Sequence, residues 1–163
     1  MAFGGLVVAT VAAFFIIQHL KVATPLIAGD LAPFPTAINP RDGGTCLART
    51  PDGSRAPVNY AQTSVSFFLV HRADNVSVYV VNQSGSTVAT LASDVYMPAQ
   101  LFPHQVARTF TWDGREYGGR IAPTGQYYLK VVLRRQDRTI DITNSKGLLA
   151  WVRVRYAPRC PGV

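Results

Sequence analysis

The densest gathering of potentially reactive side chains is the run "FTWDGREYGGRIAPTGQYYLKVVL", Phe110 to Leu133. Asp113 and Glu116 stand three positions apart there, a spacing that suits a carboxylate pair or two oxygen ligands of a calcium ion. Calcium takes about six or more oxygens. Arg115 and Arg120 interleave with the two acids, so the expected role of Asp113 is to accept backbone amides and hold a turn. His19, His71 and His104 are scattered, with no His-Glu-x-x-His or Cys-x-x-Cys spacing, so no metal site is expected. The glycines of "GGRIAPTG" lead into a strand, without the Lys-Ser/Thr pair or helix start that cradles phosphate. There is no Gly-x-Ser-x-Gly elbow, and no serine has a local base, so nucleophilic catalysis has no candidate residues. A protein that is not an enzyme and needs no cofactor is the expectation.

The elements that would position these residues are strands. "TSVSFFLV" (63–70) and "NVSVYVVN" (75–82) alternate apolar and polar residues, and "TVATLA" (87–92) follows a Gly-containing turn as the second arm of a hairpin. "SDVYMPAQLFPHQ" reads as a loop with a possible helical turn. "VARTFTW" (106–112), "GQYYLKVVLRR" (125–135), "RTIDIT" (138–143) and "LLAWVRVRY" (148–156) complete seven strands. Seven strands pack most simply as a two-sheet sandwich, because a single sheet leaves its apolar face wet. Tyr127, Leu129, Val131 and Leu133 should face the core, as should Val152 and Val154. Trp112 at a strand end should plug the sandwich, its indole N–H meeting a loop carbonyl.

Ahead of the strands the composition changes. "FGGLVVATVAAFFIIQHL" (3–20) has no formal charge and is close to the length of a membrane-spanning helix. Met1-Ala2 lacks the basic start of a cleaved signal, so residues 1–21 are expected to be an uncleaved transmembrane anchor. Gly5, Ala9 and Ala13 recur every fourth position, a small-residue ridge suited to a partner helix or a helix-mediated oligomer. Residues 22–57 hold six of the eleven prolines and are expected to form an extended stalk with at most a short edge strand. The sandwich would then occupy residues 58–163.

Orientation has little to go on from charge, with Lys21 alone beside the helix, which read literally favours a cytoplasmic C-terminal domain. The cysteines argue otherwise: Cys46 and Cys160, the only two, lie near the ends of the remainder, where a disulfide would staple first strand to last in an exported domain. The net charge of +7 is concentrated, residues 105–163 holding eleven of the sixteen Lys and Arg but four of the nine acids. Lys130, Arg134, Arg153 and Arg155 should project outward, a basic face for an acidic envelope polymer or protein partner. An exported domain rarely meets nucleic acid, which is not expected as a partner.

The order "SFFLVHRADNVSVYVVNQSGSTVATL" then "FTWDGREYGGRIAPTGQYYLKV" resembles the immunoglobulin-like domain of the bacterial flagellar hook-capping (FlgD) type. The positions that carry the likeness are Ala73, Asn75, Val76, Gly85, Leu91, Trp112, Asp113, Gly114, Gly119, Pro123, Gly125 and Tyr127, within residues 63–135. The resemblance implies an all-β, immunoglobulin-like two-sheet sandwich, here preceded by one transmembrane α-helix. It also implies a scaffold of exported and membrane-anchored proteins, in which Trp112, Asp113, Gly114, Gly119, Gly125 and Tyr127 form a structural corner. Relatives often carry an acidic Ser-Pro-Asn-Gly-Asp-Gly segment before the first strand; here only Asn39, Pro40 and Asp42-Gly43 stand in its place. Taken together, a single-pass cell-membrane protein is expected, with an extracytoplasmic, non-catalytic interaction or assembly domain. The alternatives are a subunit of a bacterial surface filament and an accessory subunit of a membrane complex.

Overall fold

The computed structural model describes residues 10–11, 25–100, 105–144 and 146–161. The expected anchor, residues 1–21, lies outside these apart from Thr10 and Val11, which are helical. The ridge residues Gly5, Ala9 and Ala13 lie outside them too. Among the described residues no helix is long and apolar enough to cross a membrane.

The described residues form eleven strands: β1 Ile27–Ala28, β2 Ala37–Ile38, β3 Thr45–Arg49, β4 Arg55–Asn59, β5 Thr63–Leu69, β6 Asp74–Asn82, β7 Thr87–Met97, β8 Arg108–Trp112, β9 Gly125–Leu133, β10 Arg138–Asp141 and β11 Trp151–Val154. They form an all-β sandwich. One sheet runs β1-β5-β8, and the other runs β2-β11-β9-β6-β7, with β10 also pairing β9. The period-two alternation drives this packing, because it turns one set of apolar side chains inward from each sheet. Val65, Phe67 and Leu69 of β5 meet Val76, Val78 and Val80 of β6 and Leu129, Val131 and Leu133 of β9, every one no more than 1% exposed. Each such burial contributes about 1.5–3 kcal/mol of hydrophobic free energy. Phe67 and Phe110 stack across the β5–β8 pair with ring centroids 5.0 Å apart.

The proline-rich segment expected to stand as a stalk packs onto the sandwich in its described part, residues 25–57. Ile27 pairs with Leu69, and β2 runs parallel to β11. Ile27 and Ile38 enter the core at 6% and 0% exposure. Pro25, Pro33, Pro35, Pro40 and Pro51 sit beside these short strands or in turns, and Pro57 lies within β4 opposite Leu47. The β3–β4 hairpin forms a separate two-stranded sheet.

Two further boundaries differ from the alternation pattern. The loop expected after residue 92 continues as strand to Met97, because a bulge between the Val76↔Val95 and Val78↔Ala92 pairs absorbs an extra residue. Asp94 sits in this bulge at φ 54°, its amide donating to the Ser77 hydroxyl (2.9 Å). β10 and β11 are shorter than expected and share one edge of β9, pairing with Lys130–Leu133 and Gly125–Tyr128 respectively. Between them the chain leaves the sheet in an excursion closed by a Thr143↔Leu149 bridge and the Ala150 amide bonding to the Ile142 carbonyl (2.9 Å).

Asp74 shows how the strand ends are held. It is fully buried, and its carboxylate accepts the amides of Asn75 (2.7 Å), Arg135 (2.7 Å) and Gln136 (3.1 Å), tying the start of β6 to the turn after β9.

Candidate functional site

The Trp112–Tyr127 corner is built from interactions that satisfy one another. Trp112, 1% exposed at the end of β8, donates its indole Nε1–H to the Arg115 carbonyl (2.8 Å). Its ring packs on Tyr127 at 5.0 Å, and the Tyr127 hydroxyl donates to the Pro123 carbonyl (2.9 Å). Burial pushes the Tyr127 phenol up from its ordinary value, with the charges of Glu116 and Tyr156 adding to the effect. Gly114 (φ 71°) and Gly119 (φ 77°) supply left-handed turns. At Gly114 a side chain is also excluded by space, since a Cβ would lie 2.4 Å from the Pro40 Cβ. Gly125 opens β9.

The acids and arginines of the corner are spent on this framework. Asp113 accepts the Arg115 amide (3.1 Å), as expected, and Glu116 receives Arg120 Nε (3.2 Å) and Nη2 (2.7 Å). Arg115 Nη1 donates to the Gly119 carbonyl (2.7 Å). Among the described residues no cluster of three or more His, Cys, Asp and Glu gathers in a way that could hold a metal ion. His71 is exposed, while His19 and His104 lie outside the described residues.

The flanking segments close over the same end of the sandwich. Cys46 of β3 is disulfide-bonded to Cys160, 114 positions away, with Cα atoms 6.4 Å apart. Buried Asn39 accepts the amides of Arg41 (3.1 Å) and Asp42 (3.0 Å) and donates to the Pro158 carbonyl (3.2 Å). The Arg41 guanidinium lies 4.4 Å from the Tyr156 ring centre, and the Tyr156 hydroxyl donates to the Ala122 carbonyl (2.8 Å). Asn39 and Asp42 thus hold a turn against the C-terminal tail.

The outward cations separate into distinct places. Lys130, half-buried in mid-β9, lies 4.0 Å from Asp141 and over the Tyr128 ring at 5.9 Å. Arg134 lies just past the end of β9 and is ion-paired with Asp94 at 2.8 Å. That contact, with a hydrogen bond from the Asn75 side-chain amide (3.2 Å), holds the Asp94 carboxyl below its ordinary value, Arg134 being the largest influence. Arg153 and Arg155 stand at the other end. Arg153 pairs with Gln126, eight residues along β9 from Arg134, or roughly 26 Å at strand rise. The structure therefore brings Arg153 and Arg155 together and leaves Lys130 and Arg134 apart from them.

Arg153 and Arg155 line a surface groove of about 470 Å³. Trp151 of β11, Gln126 of β9, Asn144 and Leu149 of the excursion, and Pro33 and Thr36 of the N-terminal flank are among the other residues of its walls. Trp151 is half-buried, edge-on to Tyr128 at 5.3 Å. Neither arginine has an acidic partner among the described residues. Trp151 shares parity with Arg153 and Arg155, so alternation alone signals their common face; the excursion and the approach of residues 32–37 carry no such signal.

Comparison with known families agrees with this architecture. Residues 58–137 match the family model of the FlgD Ig-like domain. No curated protein matches the chain. That domain family is a non-catalytic fold. The hairpin turn at Gly85, the bulged β6–β7 pair and the Trp112–Tyr127 corner all fall inside the matched segment, which is similar over residues 58–137 to the immunoglobulin-like domain of the FlgD type.

Proposed function

We propose that this protein is a non-catalytic interaction or assembly module, held at the cell membrane by its N-terminal apolar segment with the sandwich on the extracytoplasmic side. The observation that carries the reading is the Cys46–Cys160 disulfide. Structural disulfides persist in oxidising compartments outside the cytosol, and this one joins segments on either side of the matched domain. The uncharged run of residues 3–20, long enough for a span, supports tethering. The corner supports a non-catalytic role, because its acids and arginines are bonded to each other and to the backbone. Binding falls to the outward cations, above all Arg153 and Arg155, with an acidic envelope polymer or protein as partner.

The test is fractionation and protease shaving of intact cells expressing the full chain. The reading expects the protein to remain in alkali-washed membranes and to lose its domain to added protease without lysis. Release by alkali, or protection until the cells are broken, would contradict it.

A further inference from the structure

We propose that the groove beside β11 is a binding site for an acidic polysaccharide, a chain of sugar rings bearing carboxylates. This deepens the interaction reading above and rests on it. At about 470 Å³ the groove falls within the range of roughly 300–1,000 Å³ typical of small-ligand sites. No carboxylate lines it. Its cations are two guanidiniums, two positions apart on one strand face, and each can bind a carboxylate through two parallel N–H donors. A cation pair left without an acid in a concave wall is electrostatically incomplete, and an anionic ligand completes it.

The rest of the wall favours a sugar over a peptide. Trp151 lies two positions before Arg153 on the same face, and an indole beside the guanidiniums offers a flat apolar surface to the C–H face of a sugar ring. Leu149 and Pro33 extend that apolar lining. An extended peptide, by contrast, gains most of its affinity by adding to a strand edge. Neither edge of β11 is free: the Arg153 and Arg155 amides bond to the carbonyls of Thr36 and Ile38 (both 2.9 Å), and the other edge of β11 is paired with β9.

The experiment is calorimetric titration of the full detergent-solubilised chain with trigalacturonic acid, maltotriose and hexaglutamate at fixed ionic strength. Trigalacturonic acid should bind at least about tenfold more tightly than either of the others. The R153S/R155S variant should lose about tenfold or more of that affinity, while R134S should bind as the parent does. Both substitutions lie on exposed side chains, and an unchanged melting temperature verifies the fold. Hexaglutamate binding as tightly as trigalacturonic acid, with both lost in R153S/R155S, would overturn the polysaccharide while leaving the interaction module standing. Absence of saccharide binding, or binding unchanged in R153S/R155S, would overturn the site itself. Neither result bears on the membrane tether, which the shaving experiment decides separately.

Discussion

The matched segment, residues 58–137, and the flanks on either side of it differ in their polar groups: the flanks bond Asn39 and Tyr156 internally but turn Arg153 and Arg155 into the groove. Inside the segment the polar groups turn inward or onto the backbone: the Trp112 indole, the Tyr127 hydroxyl and the carboxylates of Asp74 and Asp113 each have a local partner. The flanks supply nearly the whole groove. Ala32, Pro33, Thr36 and Ala37 form one wall, Asn144 with Leu149, Trp151, Arg153 and Arg155 another, and only Gln126 comes from the matched segment. The matched segment is thus a closed scaffold, and the groove is built almost entirely from the strands and turns around it.

That division can be broken or sharpened by substitution. Replacing both Cys46 and Cys160 by serine should have the largest effect. Closure of a loop this long stabilises by up to about 4–5 kcal/mol in the chain-entropy model, so the thermal midpoint should fall by about 10 °C or more. If flank and core are one cooperative unit, a single transition should remain; a separate early transition would show the flank melting alone. Trp112→Ala removes a fully buried ring from the core and should cost about 3–5 kcal/mol by chemical denaturation. Gly114→Ala tests the junction, since the new methyl meets Pro40 of the flank and the residue sits at φ 71°. A loss of about 2 kcal/mol is expected there, and a smaller one would mean that the flank yields easily.

The smallest effect concerns pH. The Tyr127 phenol is raised in the folded state above its ordinary value of 10.0, so its protonated form is favoured by folding. That contribution is complete below pH 10.0 and is lost as the pH rises through the raised value. Tyr127→Phe should flatten the alkaline side of the stability–pH profile relative to the parent. An unchanged slope would place the phenol in water.

The sandwich was legible because its cause is written in the sequence: residues 63–69, 74–80 and 127–133 alternate strictly, and alternation is what a half-buried strand requires. The corner was legible for the same reason, its glycines and tryptophan being local chemistry. Proline misled in residues 25–57: the two-residue strands are sheet edges, as the composition allows, but the segment packs on the sandwich instead of standing clear of it and adds the five-residue strands β3 and β4. The bulge at Asp94 was hidden because an acidic residue at positive φ looks like the end of a strand. Cys46 and Cys160 could be paired from their positions alone. The groove could not be read, since it depends on Pro33 and Thr36 meeting Trp151, Arg153 and Arg155 across about a hundred positions of chain.

The claim that function sits in the groove, and not in the basic charge of the whole domain, is tested by one matched pair of variants. R115S/R120S removes two exposed arginines from the scaffold corner, and R153S/R155S removes two from the groove. Both lower the net charge equally. Titrated with trigalacturonic acid at the same ionic strength, the corner variant should bind within about twofold of the parent and the groove variant about tenfold or more weakly. Equal losses in the two variants would contradict the account, because they would make the attraction a property of overall charge with no site behind it.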